Sequence, residues 1–299
     1  MSATHDHTPI RDPRHARRLA VVFAMVIVVA GLEFVGSAIS GSLALLSDAG
    51  HMATDALGLG MALAAIAAGR SRKARHRTYG LYRLEILAAL ANAALLIGVA
   101  SYVIFEAIKR LGSPQEVTTG PMLVIALIGL VVNAAGWLLL RADAGDSINL
   151  EGALLEIIAD LVASVGVVIA AVVIRFTGWD TVDPILGILI GLYILPRAWN
   201  LGGRALRILV QAAPTGMDLD KMEDRLAKLP GVVDVHDLHV WTLTSGMDVA
   251  SVHLMIKADY DYHAMLDTAR AFFSDEYNIE HATLQVEPES HDVCHEVTW

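Results

Sequence analysis

Residues 45–69 read LLSDAGHMATDALGLGMALAAIAAG, and the fold turns on how His51 and Asp55 are tolerated inside that run. The two are spaced i, i+4, which stacks their side chains on one face of a helix. Everything around them is lipid-soluble. An ionised carboxylate at the centre of a spanning helix costs about 2.5–3.5 kcal/mol on the insertion scale, so such a residue faces a bundle interior or a polar cavity.

The rest of the chain reads the same way. Of its residues 55% are hydrophobic and only 18% charged, with a mean hydropathy of +0.53, too apolar for an ordinary soluble domain. Apolar runs recur at 18–40, 43–69, 84–109, 120–140, 150–175 and 184–208, each long enough for a bilayer core that needs about 20 residues. This predicts a membrane bundle of six transmembrane helices over residues 17–211, preceded by a cytoplasmic segment over 1–16. From residue 212 short alternating segments with frequent charges replace the long runs, and a soluble domain is expected over 212–288 with a tail over 289–299.

Basic residues set the orientation. Arg11, Arg14, Arg17 and Arg18 precede the first span, and Arg70, Arg72, Lys73, Arg75 and Arg77 fill the loop between spans two and three. Both segments are expected in the cytoplasm, and six spans return the C-terminal domain to the same side, across a cytoplasmic (inner) membrane. The polar N-terminus has no cleavable signal pattern, so the first span is read as an anchor. The single cysteine, Cys294, excludes an intrachain disulfide and suits a reducing compartment. A formal charge of −10 argues against nucleic acid as a partner.

Two spans concentrate the acidic groups. Span two has Asp48, His51 and Asp55; span five has Glu156 and Asp160, again spaced i, i+4, with Ser164 a turn further on. The spans run in opposite senses, so Asp55 and Asp160 both fall near mid-depth, with His51 displaced outward and Glu156 displaced inward. If the faces meet, one imidazole and three carboxylates from His51, Asp55, Glu156 and Asp160 converge as an N/O tetrahedron suited to Zn²⁺ or Co²⁺. Three buried carboxylates without a cation would cost roughly 8–10 kcal/mol on the same scale. They are therefore expected to be protonated or metal-bound. Because ligands must be deprotonated to bind metal, a site alternating between those two states describes proton-coupled transport. Asp48 is read as tuning the imidazole or lining the entrance. Glu33, Asn92 and Asn133 are expected to make interhelical hydrogen bonds.

Five motifs, SLALLSDAGHMATDALG (42–58), YGLYRLEILAALANAALL (79–96), ADLVASVGVVIAA (159–171), DPILGILIGLYIL (183–195) and VHDLHVWTLTSG (235–246), together resemble the cation diffusion facilitator family. The resemblance runs from about 17 to 288. It implies a divalent metal/proton antiporter with six spans, a cytoplasmic metal-binding domain and homodimerisation through that domain. Zinc-transporting members carry an HxxxD pair on span two and another on span five. Here the first pair is kept as His51 and Asp55, while Glu156 stands where the second family histidine would be, with Asp160 retained. That change makes the site harder and more negative. Zinc remains the first expected cargo, with Co²⁺, Cd²⁺, Fe²⁺ and Mn²⁺ as alternatives.

For the soluble domain the pattern predicts a helix (218–228), two strands (232–242 and 248–257) joined by a turn in TSGMD, a helix (262–276) and a last strand (280–287). This α-β-β-α-β order makes a small ferredoxin-like α+β sheet with helices on one face. Period two sets His281 and Glu287 on one face of the last strand, opposite Ala282, Leu284 and Val286, and sets His253 opposite Val252, Leu254 and Ile256. A second metal site is expected on the solvent-side face from His253, His281 and Glu287, with His236 or His239 from the first strand. Periodicity does not choose between those two; the resemblance implies His239. The tail adds His291, Cys294 and His295 as a capture site or a disordered end.

An intramembrane metalloprotease would need HExxH spacing, and HMATD (51–55) has neither the second histidine nor the adjacent glutamate, so no enzymatic activity is expected. The rival to transport is a membrane metal sensor that signals through its cytoplasmic domain; no output module is visible in the sequence.

Overall fold

The computed structural model describes residues 13–68, 78–113, 115–141 and 148–290; the side chains of 13–20, 22, 55, 58, 59, 61–68, 140, 148–153, 155 and 156 lie outside the described set. The described residues fall into two compact units, a helical one within Met1–Lys73 and Ala88–Gly202 and a sheet-bearing one within Ala74–Leu87 and Gly203–Trp299.

Six long helices come first: α1 (Pro13–Ser40), α2 (Leu43–Ala68), α3 (Tyr82–Gly112), α4 (Thr119–Leu140), α5 (Ile148–Thr177) and α6 (Val182–Leu209). Among the described residues, five of them contain a stretch long and apolar enough to cross a membrane. The sixth is α2, 26 residues long and carrying His51. Two breaks are made by glycine: α1 ends before Gly41 (φ +74) and α5 before Gly178 (φ +67), the left-handed conformation that closes a helix C-terminus without a Cβ clash.

Lipid tails are as apolar as leucine, so helices in a bilayer associate by close packing and by a few polar contacts. The helical unit does both. Ala44, Leu45, Met122, Val167, Ala170, Ala171, Ile190 and Ile194 form its main buried cluster. On α6 a Cβ at Gly191 would fall 3.0 Å from Ile104 Cγ1, and one at Gly187 would fall 3.3 Å from Leu43 Cβ, so the small residues set how near α6 lies to α3 and to the start of α2. Asn92 of α3 donates to the Thr54 carbonyl of α2 at 3.3 Å, and Asn133 of α4 donates to Ser164 Oγ of α5 at 3.2 Å. These are the interhelical bonds expected of both asparagines. Pro196 lies within α6.

The second unit follows the order α7 (Leu219–Leu226), β1 (Val232–Thr244), β2 (Met247–Ile256), α8 (Tyr262–Ala271), a π-helical turn (Phe272–Glu276) and β3 (His281–Pro288). The strands lie β1-β2-β3, with β1 antiparallel and β3 parallel to the central β2. Met222, Leu226, Val252, Leu254, Ile256, Met265 and Phe273 are at 0% exposure between the helices and one face of the sheet, where each such side chain contributes about 1.5–3 kcal/mol. The other face is left for polar groups.

Candidate metal centres

His51 and Asp160 are where α2 and α5 meet. Nε2 of His51 lies 3.6 Å from Oδ1 of Asp160, and the two residues are 5% and 3% exposed. Local structure fixes both. The His51 carbonyl accepts from Thr54 Oγ1 at 2.6 Å, and the next turn is tied to α3 through Asn92. On α5, Ser164 sits one turn beyond Asp160 and is held by Asn133. Tyr193 of α6 presents its ring edge-on to the imidazole, centroids 6.4 Å apart; the sequence reading did not single it out.

Asp48, 1% exposed, lies one turn before His51 on α2. Asp55 and Glu156 fall on α2 and α5, but their side chains lie outside the described residues. Glu33 departs from expectation. It is 1% exposed, yet among the described residues neither carboxylate oxygen has a hydrogen-bond partner. Instead its Oε1 occupies the space a Cβ at Gly129 of α4 would need, 2.7 Å from that point. The helical unit thus buries Glu33, Asp48 and Asp160 in an apolar bundle, together with one imidazole. Acidic groups so placed demand a proton or a cation.

The second cluster lies on the polar face of the sheet. His236 of β1 pairs directly with His253 of β2, and their rings stand 5.2 Å apart, edge to face. Glu287 of β3 reaches between them: Oε1 is 3.2 Å from His253 Nδ1, and Oε2 is 3.6 Å from His236 Nε2. Two outer groups steady the set. Gln285 Nε2 donates to Glu287 Oε1 at 2.6 Å, and Asp234 Oδ2 lies 3.1 Å from His236 Nδ1. One ligand atom from each of His236, His253 and Glu287 lies within 4.8 Å of the others. Two imidazole nitrogens and a carboxylate are a common donor set for zinc.

This cluster holds part of the ligand set expected for the cytoplasmic face, and three placements differ from that expectation. His239 is not part of it. Between His236 and His239 the β1–β2 register shifts, with Asp237 at φ +56, and this bulge inserts one residue into β1. His239 therefore returns to the polar face one pair further along, opposite Ser251, with its Nε2 3.2 Å from Asp237 Oδ1. Nor does His281 join. It shares a face with Glu287 but stands six residues away along β3, about 20 Å at the strand rise, and it is exposed. Lastly, Glu287 is 3% exposed rather than on open surface. The tail residues His291, Cys294 and His295 lie outside the described residues.

Comparison with known proteins agrees with this architecture along the whole chain. Residues 19–210 match the family described as the cation efflux transmembrane domain, and residues 214–289 match the cytoplasmic domain of cation efflux proteins. The chain is 40% identical over 288 residues to the metal cation efflux system protein CzcD of Cupriavidus metallidurans, covering 96% of this chain and 90% of that one. It is 38% identical over 299 residues to the zinc transporter ZitB of Escherichia coli (99% and 94%). Over 295 residues it is 34% identical to the cadmium, cobalt and zinc/H(+)-K(+) antiporter of Bacillus subtilis (96% and 93%).

Proposed function

The chain belongs to the cation efflux (cation diffusion facilitator) family, and on that premise we propose that it is a multi-pass membrane transporter that expels a divalent transition-metal ion from the cytoplasm in exchange for protons. The relatives are named as transporters, not enzymes. The observation that carries the reading is the approach of His51 to Asp160, 3.6 Å apart between two apolar helices. A neutral imidazole and a carboxylate at that distance bind a metal ion; protonated, they release it. Asp55 and Glu156, one turn from each on the same helices, complete the set of four ligands. Asp48 and Glu33, buried in the same bundle, are further acids that must be satisfied by a proton or a nearby cation.

Zinc is the first cargo. It suits a site with one imidazole and no sulfur, and zinc appears in the names of two of the three relatives. Co²⁺, Cd²⁺, Fe²⁺ and Mn²⁺ are alternatives, because Glu156 supplies oxygen at the fourth position. The cytoplasmic membrane is the site of action, with both termini in the cytoplasm, on the strength of the basic residues before α1 and between α2 and α3. The sheet unit binds a second ion through His236, His253 and Glu287 and joins two chains into a homodimer. This second ion supports a regulatory role, and the metal-sensor reading survives only as that part of the transporter.

The test is zinc flux into proteoliposomes, read by an enclosed metal-sensitive dye, with and without a pH gradient. Uptake is expected to accelerate when the lumen is acid and to fall to background in His51→Ala and Asp160→Asn. Flux indifferent to the gradient removes antiport; no flux in the wild type removes transport and leaves the sensor.

A further inference from the structure

Where α1 passes into α2, the helical unit is held by hydrogen bonds that run between helices. Ser42, the residue before α2, donates its hydroxyl to Asp183 Oδ1 at 2.5 Å. The Leu43 amide donates to Asp183 Oδ2 at 2.7 Å and the Ala44 amide to Oδ1 at 3.3 Å, while the Leu45 amide donates to Ser42 Oγ at 3.1 Å. The first N–H groups of α2, which no intrahelical carbonyl can serve, are thus satisfied, and two of them by a side chain of another helix. Asp183 stands in the first turn of α6 and is 0% exposed. Arg110, near the end of α3, closes the same turn from another side by donating Nη1 to the Gly41 carbonyl at 2.5 Å.

Capping alone does not require this arrangement. Ser42 already accepts from Leu45, as a local cap does. What Asp183 adds is a bond between α2 and α6 that cannot be broken cheaply, because separation strands a buried carboxylate without its donors. The backbones agree: a Cβ on Gly187, one turn along α6, would lie 3.4 Å from the Leu43 carbonyl carbon.

We propose that Asp183 is a positioning residue for transport, fixing the start of α2 to the start of α6 as a pivot. The rearrangement that opens the metal site then takes place beyond it, toward the far end of α2. His51 lies nine residues past Ser42, about 13 Å along the helix axis, so a small tilt about the pivot moves the imidazole relative to Asp160. The inference rests on the transport reading above, and wild-type flux in the same vesicles separates a failure of that reading from a failure of this one.

The double variant Ser42→Asp/Asp183→Ala moves the acid to the cap of α2 and, leaving neither donor nor acceptor at position 183, severs the link to α6. It is expected to bind zinc within about threefold of wild type while its flux falls about tenfold or more, as hinge changes do when binding is spared. Wild-type flux overturns the proposal, and so does loss of zinc affinity in proportion to flux, which makes Asp183 a support of the site. If that variant does not fold, the pair Ser42→Cys/Asp183→Cys in a Cys294→Ser background decides. Oxidation rebuilds the link covalently and is expected to raise flux about fivefold over the reduced form; equal flux in the two forms refutes the pivot.

Discussion

Replacing Glu287 with glutamine tests the cytoplasmic metal centre with little change of shape. In the native protein the carboxylate is 3% exposed, 3.2 Å from His253 and 3.6 Å from His236. Glutamine keeps the volume and removes the only anionic ligand of the cluster. Changes to groups outside the ligand shell already cost up to about 100-fold in metal affinity, so a direct ligand is expected to cost at least that. At free zinc near 100 times the native Kd, binding stabilises the native unit by about 2.7 kcal/mol; with Kd raised 100-fold, the gain at the same zinc falls to about 0.4 kcal/mol. The assay is hydrogen exchange of the β2 and β3 amides in the full-length protein. Zinc is expected to slow native exchange about 100-fold and the variant only about twofold. Without metal the order reverses, because a buried amide is cheaper than a buried carboxylate. A variant that keeps the full zinc response, or whose metal-free amides exchange much faster than native, would show that Glu287 is a structural carboxylate and not a ligand.

Other outcomes follow from the same geometry. Glu156→His restores a nitrogen to span five and is expected to raise the Zn²⁺ to Mn²⁺ flux ratio about tenfold, measured by competition in proteoliposomes; an unchanged ratio means Glu156 is not the filter. Gly231 sits at φ +89, with a Cβ position 2.2 Å from the Tyr260 ring, so Gly231→Ala should destabilise the sheet unit by about 1–3 kcal/mol, visible as faster amide exchange with intact zinc flux in the cold. A hydrogen bond from Lys221 and its charge hold the exposed Asp218 carboxyl below its usual range. The stabilisation of α7 by this cap is therefore fully present above the ordinary carboxylate pKa and is lost only as pH falls through the lower folded value, so exchange protection of α7 should persist through mild acid.

The helices were legible in the sequence because apolar runs of spanning length have few other uses, and the order α-β-β-α-β because Val252, Leu254 and Ile256 alternate cleanly with His253. The meeting of His51 with Asp160 was also within reach, since an i, i+4 pair in hydrocarbon needs a partner of its own kind. What escaped was geometry that depends on one residue. The bulge at Asp237 sets both His236 and His239 on the polar face, and only the pairing of His236 with His253 brings it into the cluster; periodicity carries no sign of either. Sharing a face placed His281 with Glu287, though strand length keeps them apart. Asp183 was quoted only as part of a motif; an acid at the mouth of an apolar helix was the available hint, and its partners on α2 lie more than a hundred residues earlier.

A helix interrupted by proline is two rods and a soft joint. Pro196 has no N–H, so the Leu192 carbonyl already lacks the amide a straight helix would give it, and flexing there breaks no bond that exists. One rod, Val182 to Leu195, carries Asp183, Gly187 and Gly191; the other, to Leu209, leads along the chain into the sheet unit. The missing bond makes this the place where α6 resists bending least. With alanine at this position α6 would become one continuous lever, and a load on its last turns would be felt at Asp183.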